Sequence, residues 1–395
     1  MSAGGGDEPF IPLAAPELGG REWEYVKEAL DSGWVSSAGP FVERFEESVA
    51  AYVGAPNAVA TVNGTAALHV AMLLAGVTPA DEVIMPTLTF IAPANAVRYA
   101  GGTPVFIDCD PSYLQIDVDK LAHFVETGCD WRDGALVNST TGRTVKAILV
   151  VHALGHPVDL DPVLEIARSR ELVVVEDCAE SIGARYRDRM TGTFGDVACF
   201  SFNGNKVVTA GGAGMILTKH EDWADRARHL TTQARAHAFE YVHEEIGFNY
   251  RPTSLNAAMG VAQMELVDEY VAVKRRIATT YAQAVDGVPG LSTLGEAPWA
   301  FSTFWLSTVL ARDASGRALV ERLRSRGIEA RPIWQPMHLS PAQRGAVATD
   351  CSTAERLYEQ GVCLPSSVGL SAPDQERVIG ELLAAVGSGP PLEAR

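Results

Sequence analysis

Short apolar runs alternate with helix-length segments through the first half of the chain, and that alternation restricts the fold more than any other feature. Strands are expected at 57–62, 82–85, 104–107, 146–151, 172–175, 197–202 and 215–217. Helices are expected at 21–30 and 41–53, after the Asn63-Gly64-Thr65 turn to about residue 75, and at 90–99 and 161–169. Such units bury apolar strands on both faces when the sheet is mainly parallel and flanked by helices. The polar stretch 129–145, CDWRDGALVNSTTGRTV, interrupts the rhythm and reads as a surface excursion. Beyond 217 the pattern is helical, at about 221–235 and 254–277. A change of composition near 287–298 marks a boundary, and 304–309, 318–326 and 330–333 then give a smaller strand-helix-strand unit.

Within this frame the stretch 197–217, VACFSFNGNKVVTAGGAGMIL, stands out. Lys206 leaves the end of a β-prone run on a tight turn and is followed by the glycine-rich Ala210 to Gly214. A lysine held in an apolar interior loses its proton more easily, and a neutral amine can form a Schiff base with an aldehyde. The stretch alone equally describes a surface lysine beside a hairpin. The run 172–175 ends in Glu176-Asp177-Cys178-Ala179-Glu180-Ser181. Open α/β sheets place ligand-binding groups at the carboxyl ends of parallel strands. A carboxylate there can pair with a protonated ring nitrogen, although Asp177 also reads as a helix cap. Asp177 and Lys206 together point to a cofactor site.

Other segments are less specific. Asn63-Gly64-Thr65 at a strand-to-helix turn offers backbone N–H groups and a hydroxyl to an anion, and reads equally as a turn with an N-cap. Trp34, in the loop Asp31 to Pro40, is either a substrate wall or a packing anchor. Lys274-Arg275-Arg276 reads as a solvated helix face. No Gly-x-Gly-x-x-Gly or Walker pattern is present, which argues against nucleotide-cofactor and kinase readings.

Composition removes further classes. A net charge of −17 over 395 residues argues against nucleic acid as a general partner, while a small anion needs only a local positive field. No apolar run reaches the roughly 18 residues of a membrane span, and MSAGGGDEPF has neither the basic start nor the apolar core of a secretory signal. A cytoplasmic location is expected, with Gly4 to Gly6 marking a disordered leader or a remnant of cloning, and a frayed tail from Gly387. The six cysteines form no Cys-x-x-Cys pair and read as reduced core residues, with no metal site expected.

Several ordered motifs meet a known family. NGTAALH at 63–69, PTLTFIAPANAV at 86–97, EDCAESIGA at 176–184, FSFNGNK at 200–206 and GFNYR at 247–251 resemble the DegT-type (DegT/DnrJ/StrS) sugar aminotransferases, which use pyridoxal phosphate. WVSSAGP at 34–40 and RPIWQPMH at 331–338 are most similar to nucleotide-sugar 4-aminotransferases of the legionaminic-acid type. The resemblance covers nearly the whole chain. It implies the fold type I architecture: a large domain with a mainly parallel mixed sheet flanked by helices, and a smaller C-terminal α/β domain. The expected division is a leader at 1–20, a large cofactor-binding domain with dimerisation helices at 21–286, and a small domain at 287–395.

The resemblance also implies roles. Lys206 would carry the cofactor and then move the proton. Asp177 would bind the pyridinium nitrogen, Phe90 would stack on the ring, and Gly64, Thr65 and Ser201 would hold the phosphate. Asn249 would reach the phosphate of a neighbouring subunit in a homodimer with shared sites. Glu180 stands where many relatives carry glutamine near the phenolic oxygen, so a carboxylate there must be protonated or compensated. Trp34 and His338 would contact substrate. The implied reaction aminates a nucleotide-linked 4-keto-6-deoxy sugar with glutamate as donor. A 3-aminotransferase and a non-catalytic pyridoxal-phosphate regulator are the alternatives. A sugar dehydratase would carry histidine in place of Lys206, and a binding protein without chemistry would bind no chromophore.

Overall fold

The computed structural model describes residues 9–387 except 238, 313 and 314. The glycine leader expected at Gly4 to Gly6 and the tail beyond Gly387 lie outside the described residues. The expected alternation folds into one large sheet. Its main strands run in the order Asn57–Thr61, Gly214–Thr218, Val197–Ser201, Val173–Asp177, Thr144–Val151, Asp81–Pro86, Thr103–Ile107 and Val347–Ala348. Only Gly214–Thr218 runs antiparallel to its neighbours in this row, so the sheet is mixed but mainly parallel. Strands such as Asp81–Pro86 and Gly214–Thr218 are buried along their whole length, which is why they read as continuous apolar runs. The polar stretch at 129–145 forms a hairpin, Cys129–Arg132 with Ala135–Asn138, on the margin of the sheet.

Helix Gly64–Leu74 is buried on nearly all sides and packs between the sheet and helices Ile91–Tyr99 and Glu221–Thr231. A second, four-stranded antiparallel sheet holds Leu291–Thr293, Ser307–Ala311, Gly361–Leu364 and Arg331–Pro332 in that order. Helices Gly316–Ser325 and Ala372–Gly387 accompany it. Several segments join the units: Ile11 bridges Ile328, Ala300–Phe301 pairs with Arg185–Tyr186, and Val347–Ala348 adds to the large sheet beside Thr103–Ile107.

Three local expectations are corrected. The helix expected at 254–277 is two helices, Ser254–Met264 and Val267–Val285. Glu265 and Leu266 donate to carbonyls three residues back, Ala262 and Gln263, which tightens the turn and ends the first helix. The helix expected at 221–235 stops at Thr231, because Gln233 and Ala234 adopt left-handed backbone angles (φ 65° and 50°) and Ala234 N–H returns to His229 O. Lys274 is not on a solvated face. It is 3 % exposed, and its amine donates to the carbonyls of Trp305 (3.1 Å) and Ser366 (2.7 Å). Only Arg275, paired with Glu296, and exposed Arg276 fit the expected face.

All six cysteines are free and buried. Among the described residues no helix is long and apolar enough to cross a membrane.

Candidate functional site

The carboxyl ends of neighbouring strands open into a cavity of about 580 Å³. Strand Val173–Asp177 runs two residues further than the sequence pattern suggested, and its register with Thr144–Val151 and Val197–Ser201 places Asp177 beside Val151 and Cys199. Asp177, Glu180, Ser201, Lys206, Gly64, Thr65 and Phe90 all line this cavity. Each sits on a strand end, on the turn after it, or at the start of the next helix, so sheet order alone gathers them.

Gly64 opens helix Gly64–Leu74, and the side chain of Asn63 caps it by accepting from Ala66 N–H at 2.8 Å. A Cβ on Gly64 would lie 2.8 Å from Ser201 Cβ, so glycine lets the helix start rest on the end of Val197–Ser201. Among the described residues the hydroxyls of Thr65 and Ser201 have no hydrogen-bond partner. The hydroxyl of Thr89, also lining the cavity, is buried and unpartnered. Phe90 precedes helix Ile91–Tyr99 and exposes about half of its surface at the cavity.

Asp177 is buried, and one carboxylate oxygen accepts from Ala179 N–H at 3.0 Å. Desolvation is the main force that pushes its carboxyl up to about 6; the nearby Glu180 adds to it and Lys206 opposes it. A buried carboxylate short of cationic partners suits a protonated ring nitrogen. Lys206 Nζ lies 3.3 Å from Glu180 Oε1 and 4.0 Å from the centre of the Trp305 ring. Glu180 Oε2 accepts from Leu154 N–H at 2.7 Å. Burial raises the Glu180 carboxyl above its ordinary value, and Lys206 with the Leu154 N–H offsets only part of that cost.

Behind Asp177, His152 Nδ1 accepts from Val158 N–H at 3.1 Å, which leaves Nε2–H to donate to Glu176 Oε2 at 3.0 Å. Glu176 also accepts from the N–H groups of Gly192, Phe194 and Gly195. His152, Glu176 and Cys178 place possible ligand atoms within 4.8 Å of one another. The carboxylate's oxygens are filled by these donors, which accounts for the cluster as a buried hydrogen-bond network.

Three expected residues lie elsewhere. Trp34 is exposed on the loop after helix Glu22–Asp31 and does not line the cavity. Asn249 is exposed, and its backbone bridges Thr232. His338 is held by Thr87 Oγ1 at 2.7 Å and Glu355 Oε1 at 3.0 Å, outside the lining. Other lining residues were not singled out from sequence: Trp305, Thr89, His152, Leu13 and the pair Glu329–Arg331. Arg331 and Trp334 do fall within RPIWQPMH, so that motif could have flagged the wall they build. A separate cavity of about 600 Å³, lined by Arg185, Arg275 and Arg276, shares no residue with this one.

The residues fit pyridoxal phosphate. They offer one lysine, the two buried carboxylates of Asp177 and Glu180, an aromatic face and a helix start whose glycine is packed against a serine. The orphaned Thr89 hydroxyl is a further polar group facing a ligand-sized space.

The model of the DegT/DnrJ/EryC1/StrS aminotransferase family matches residues 16–383. A GDP-perosamine synthase of Caulobacter vibrioides is 40% identical over 385 residues, covering 95% of this chain and 98% of that protein. EpsN of Bacillus subtilis, named for pyridoxal phosphate-dependent aminotransferase activity, is 37% identical and covers 94% of this chain and 95% of its own. The crystal structure of the aminotransferase TlmJ from Streptoalloteichus hindustanus superposes with a TM-score of 0.87 at 31% identity, covering 96% of this chain and 99% of that one.

Proposed function

Because this chain belongs to the DegT/DnrJ/EryC1/StrS aminotransferase family, with the fold type I architecture, we propose that it aminates a nucleotide-linked 4-keto-6-deoxy sugar at C4, with glutamate as the amino donor. The observation that carries the reading is the convergence of Lys206, Asp177, Glu180 and the Gly64–Thr65 helix start on one cavity. The name of the Caulobacter relative, GDP-perosamine synthase, makes a GDP-linked sugar the first to test.

Bound pyridoxal phosphate supplies an aldehyde and a ring that takes up negative charge from the carbon bearing the amine. Asp177 would face the ring nitrogen with its buried carboxylate, which would offset the cost of a positive charge there. Lys206 would hold the group through Nζ, and its free amine would take up and return a proton at the substrate carbon within each half-reaction. Glu180 Oε1 orients that amine from 3.3 Å, while Leu154 N–H fixes the other oxygen. Phe90 would cover the ring face, and the Gly64–Thr65 helix start with the hydroxyls of Thr65 and Ser201 would hold the phosphate.

The working unit in this reading is a homodimer in which Asn249 serves the partner's phosphate. Support comes from the segment leading to it, where Phe239 is 99%, Tyr241 85% and Ile246 84% exposed. Large side chains so fully exposed mark an interaction surface.

The test is a product assay with GDP-, UDP- and dTDP-linked 4-keto-6-deoxy sugars and glutamate, reading the amine's position by NMR. Amination at C4 of the GDP sugar is expected, with borohydride labelling Lys206 in the loaded enzyme. An amine at C3, or no product from any sugar by a cofactor-loaded protein, overturns the C4 reading. Label on a different lysine overturns the role of Lys206.

A further inference from the structure

We propose that Trp305 is a positioning residue for Lys206, held in place by the same backbone unit that fixes Glu180. The proposal rests on the pyridoxal-phosphate reading and concerns a residue contributed from beyond the large sheet. Trp305 is 5% exposed, and the centre of its ring lies 4.0 Å from Lys206 Nζ. Three hydrogen bonds fix it. Its indole N–H donates to Asn205 O at 2.6 Å, one residue from Lys206. Its backbone N–H donates to Leu154 O at 2.9 Å, and its carbonyl accepts from the buried Lys274 amine at 3.1 Å. Trp334 stacks parallel to it at 6.4 Å.

Leu154 closes the arrangement. Its N–H donates to Glu180 Oε2 at 2.7 Å while its C=O receives Trp305 N–H, so one residue holds both neighbours of the Lys206 amine. Leu154 does this with φ 56° and ψ 14°, a left-handed conformation that leucine rarely adopts. Gly155 follows at φ 86°, where a Cβ would lie 2.0 Å from Thr303 Oγ1. A strained, sterically confined turn of this kind persists when surrounding contacts over-determine it, and here those contacts are the two groups facing the lysine.

The division of labour follows from chemistry. A carboxylate attracts the amine but can also accept its proton. An indole face attracts a cation and cannot take a proton from it. With Glu180 and the ring both against it, Nζ is held by one base and one face that cannot compete for its proton.

The experiment uses Trp305→Leu and Trp305→Phe in the full chain loaded with pyridoxal phosphate. The first readout is the pH midpoint of the absorption change of the cofactor joined to Lys206. The second is the single-turnover rate with glutamate alone. Loss of the ring face lowers the midpoint by about one pH unit and slows the half-reaction about tenfold in Trp305→Leu. Trp305→Phe, which keeps a ring and loses the indole N–H, recovers more than half of the midpoint shift. A merely structural role moves thermal stability and leaves the midpoint in place. A wild-type midpoint and rate in folded Trp305→Leu overturn the proposal. If that variant does not fold, Trp305→Phe decides: an unchanged midpoint and rate overturn it, and a partial fall in both supports it. Failure of the wild-type protein to form a coloured complex instead overturns the cofactor reading itself.

Discussion

Replacing Asp177 by asparagine separates the cost of this carboxylate in the empty protein from its use toward the cofactor. Burial raises the carboxyl from 3.8 to about 6. A difference of that size amounts to about 3 kcal/mol of preference for the neutral form. Between those two values the native state keeps a proton that the unfolded chain has released. Wild-type stability therefore falls as pH rises through this window and stays lower above it. Asparagine does not ionise, so its stability relative to wild type grows across the same window. The amide oxygen can still accept from Ala179 N–H, so the variant keeps that contact at every pH. The decisive quantity is thus the change in the difference between the two proteins, not its value at one pH. That change is about 1.4 kcal/mol in favour of the variant between pH 5 and pH 8. Glu180 faces the same cavity and is present in both proteins, so only its coupling to Asp177 differs between them.

The assay is urea denaturation of both cofactor-free proteins at pH 5 and pH 8, repeated with pyridoxal phosphate. In the empty proteins the gap should move toward the variant at the higher pH. With cofactor the gap should shift toward wild type, because in the proposed reading Asp177 faces a positive ring nitrogen that asparagine cannot neutralise, and the variant's turnover should be largely lost. A gap that is independent of pH refutes the desolvation argument. An equal gain from cofactor in both proteins refutes the pairing of Asp177 with the ring.

The shared-site dimer predicts that mixing inactive Lys206→Ala subunits with impaired Asn249→Asp subunits restores about a quarter of wild-type activity, since half of randomly mixed dimers carry one intact site; heterodimers that form without activity place both residues in one subunit's site. Lys274 has its amine lowered by burial from 10.5 to about 7. The unfolded state binds the extra proton between those values, so wild-type stability should rise by about 2 kcal/mol from pH 7 to pH 9, and Lys274→Met should lose that slope in urea titrations.

The part of this architecture that was legible in the sequence is local in origin. Apolar runs mark the strands, because a strand buried on both faces needs them. Lys206, Asp177, Glu180, Ser201 and Gly64 each lie within a few residues of a strand's carboxyl end, so a parallel sheet brings them to one edge without further information. Helix ends were less legible. The stop at Thr231 depends on two non-glycine residues in left-handed geometry, and the break after Met264 lies in a sequence with neither proline nor a glycine at the joint. Burial of Lys274 was concealed by its neighbours: three basic residues in a row describe a wet face, yet successive positions on a helix point about 100° apart.

What periodicity could not supply is the second half of the site's wall. Trp305 is about a hundred residues from Lys206, and only the docking of the antiparallel sheet brings its ring over the amine. That docking also gives Glu180 its place. In isolation a carboxylate at this position looks like a liability in a buried site that already holds Asp177. The turn at Leu154 changes the balance, because its N–H takes one Glu180 oxygen and Lys206 takes the other. A glutamine could satisfy the same Leu154 N–H but would bring no charge to the amine. Glutamate therefore couples the state of Lys206 to the turn that also carries Trp305, and the strain at Leu154 is the backbone cost of that coupling.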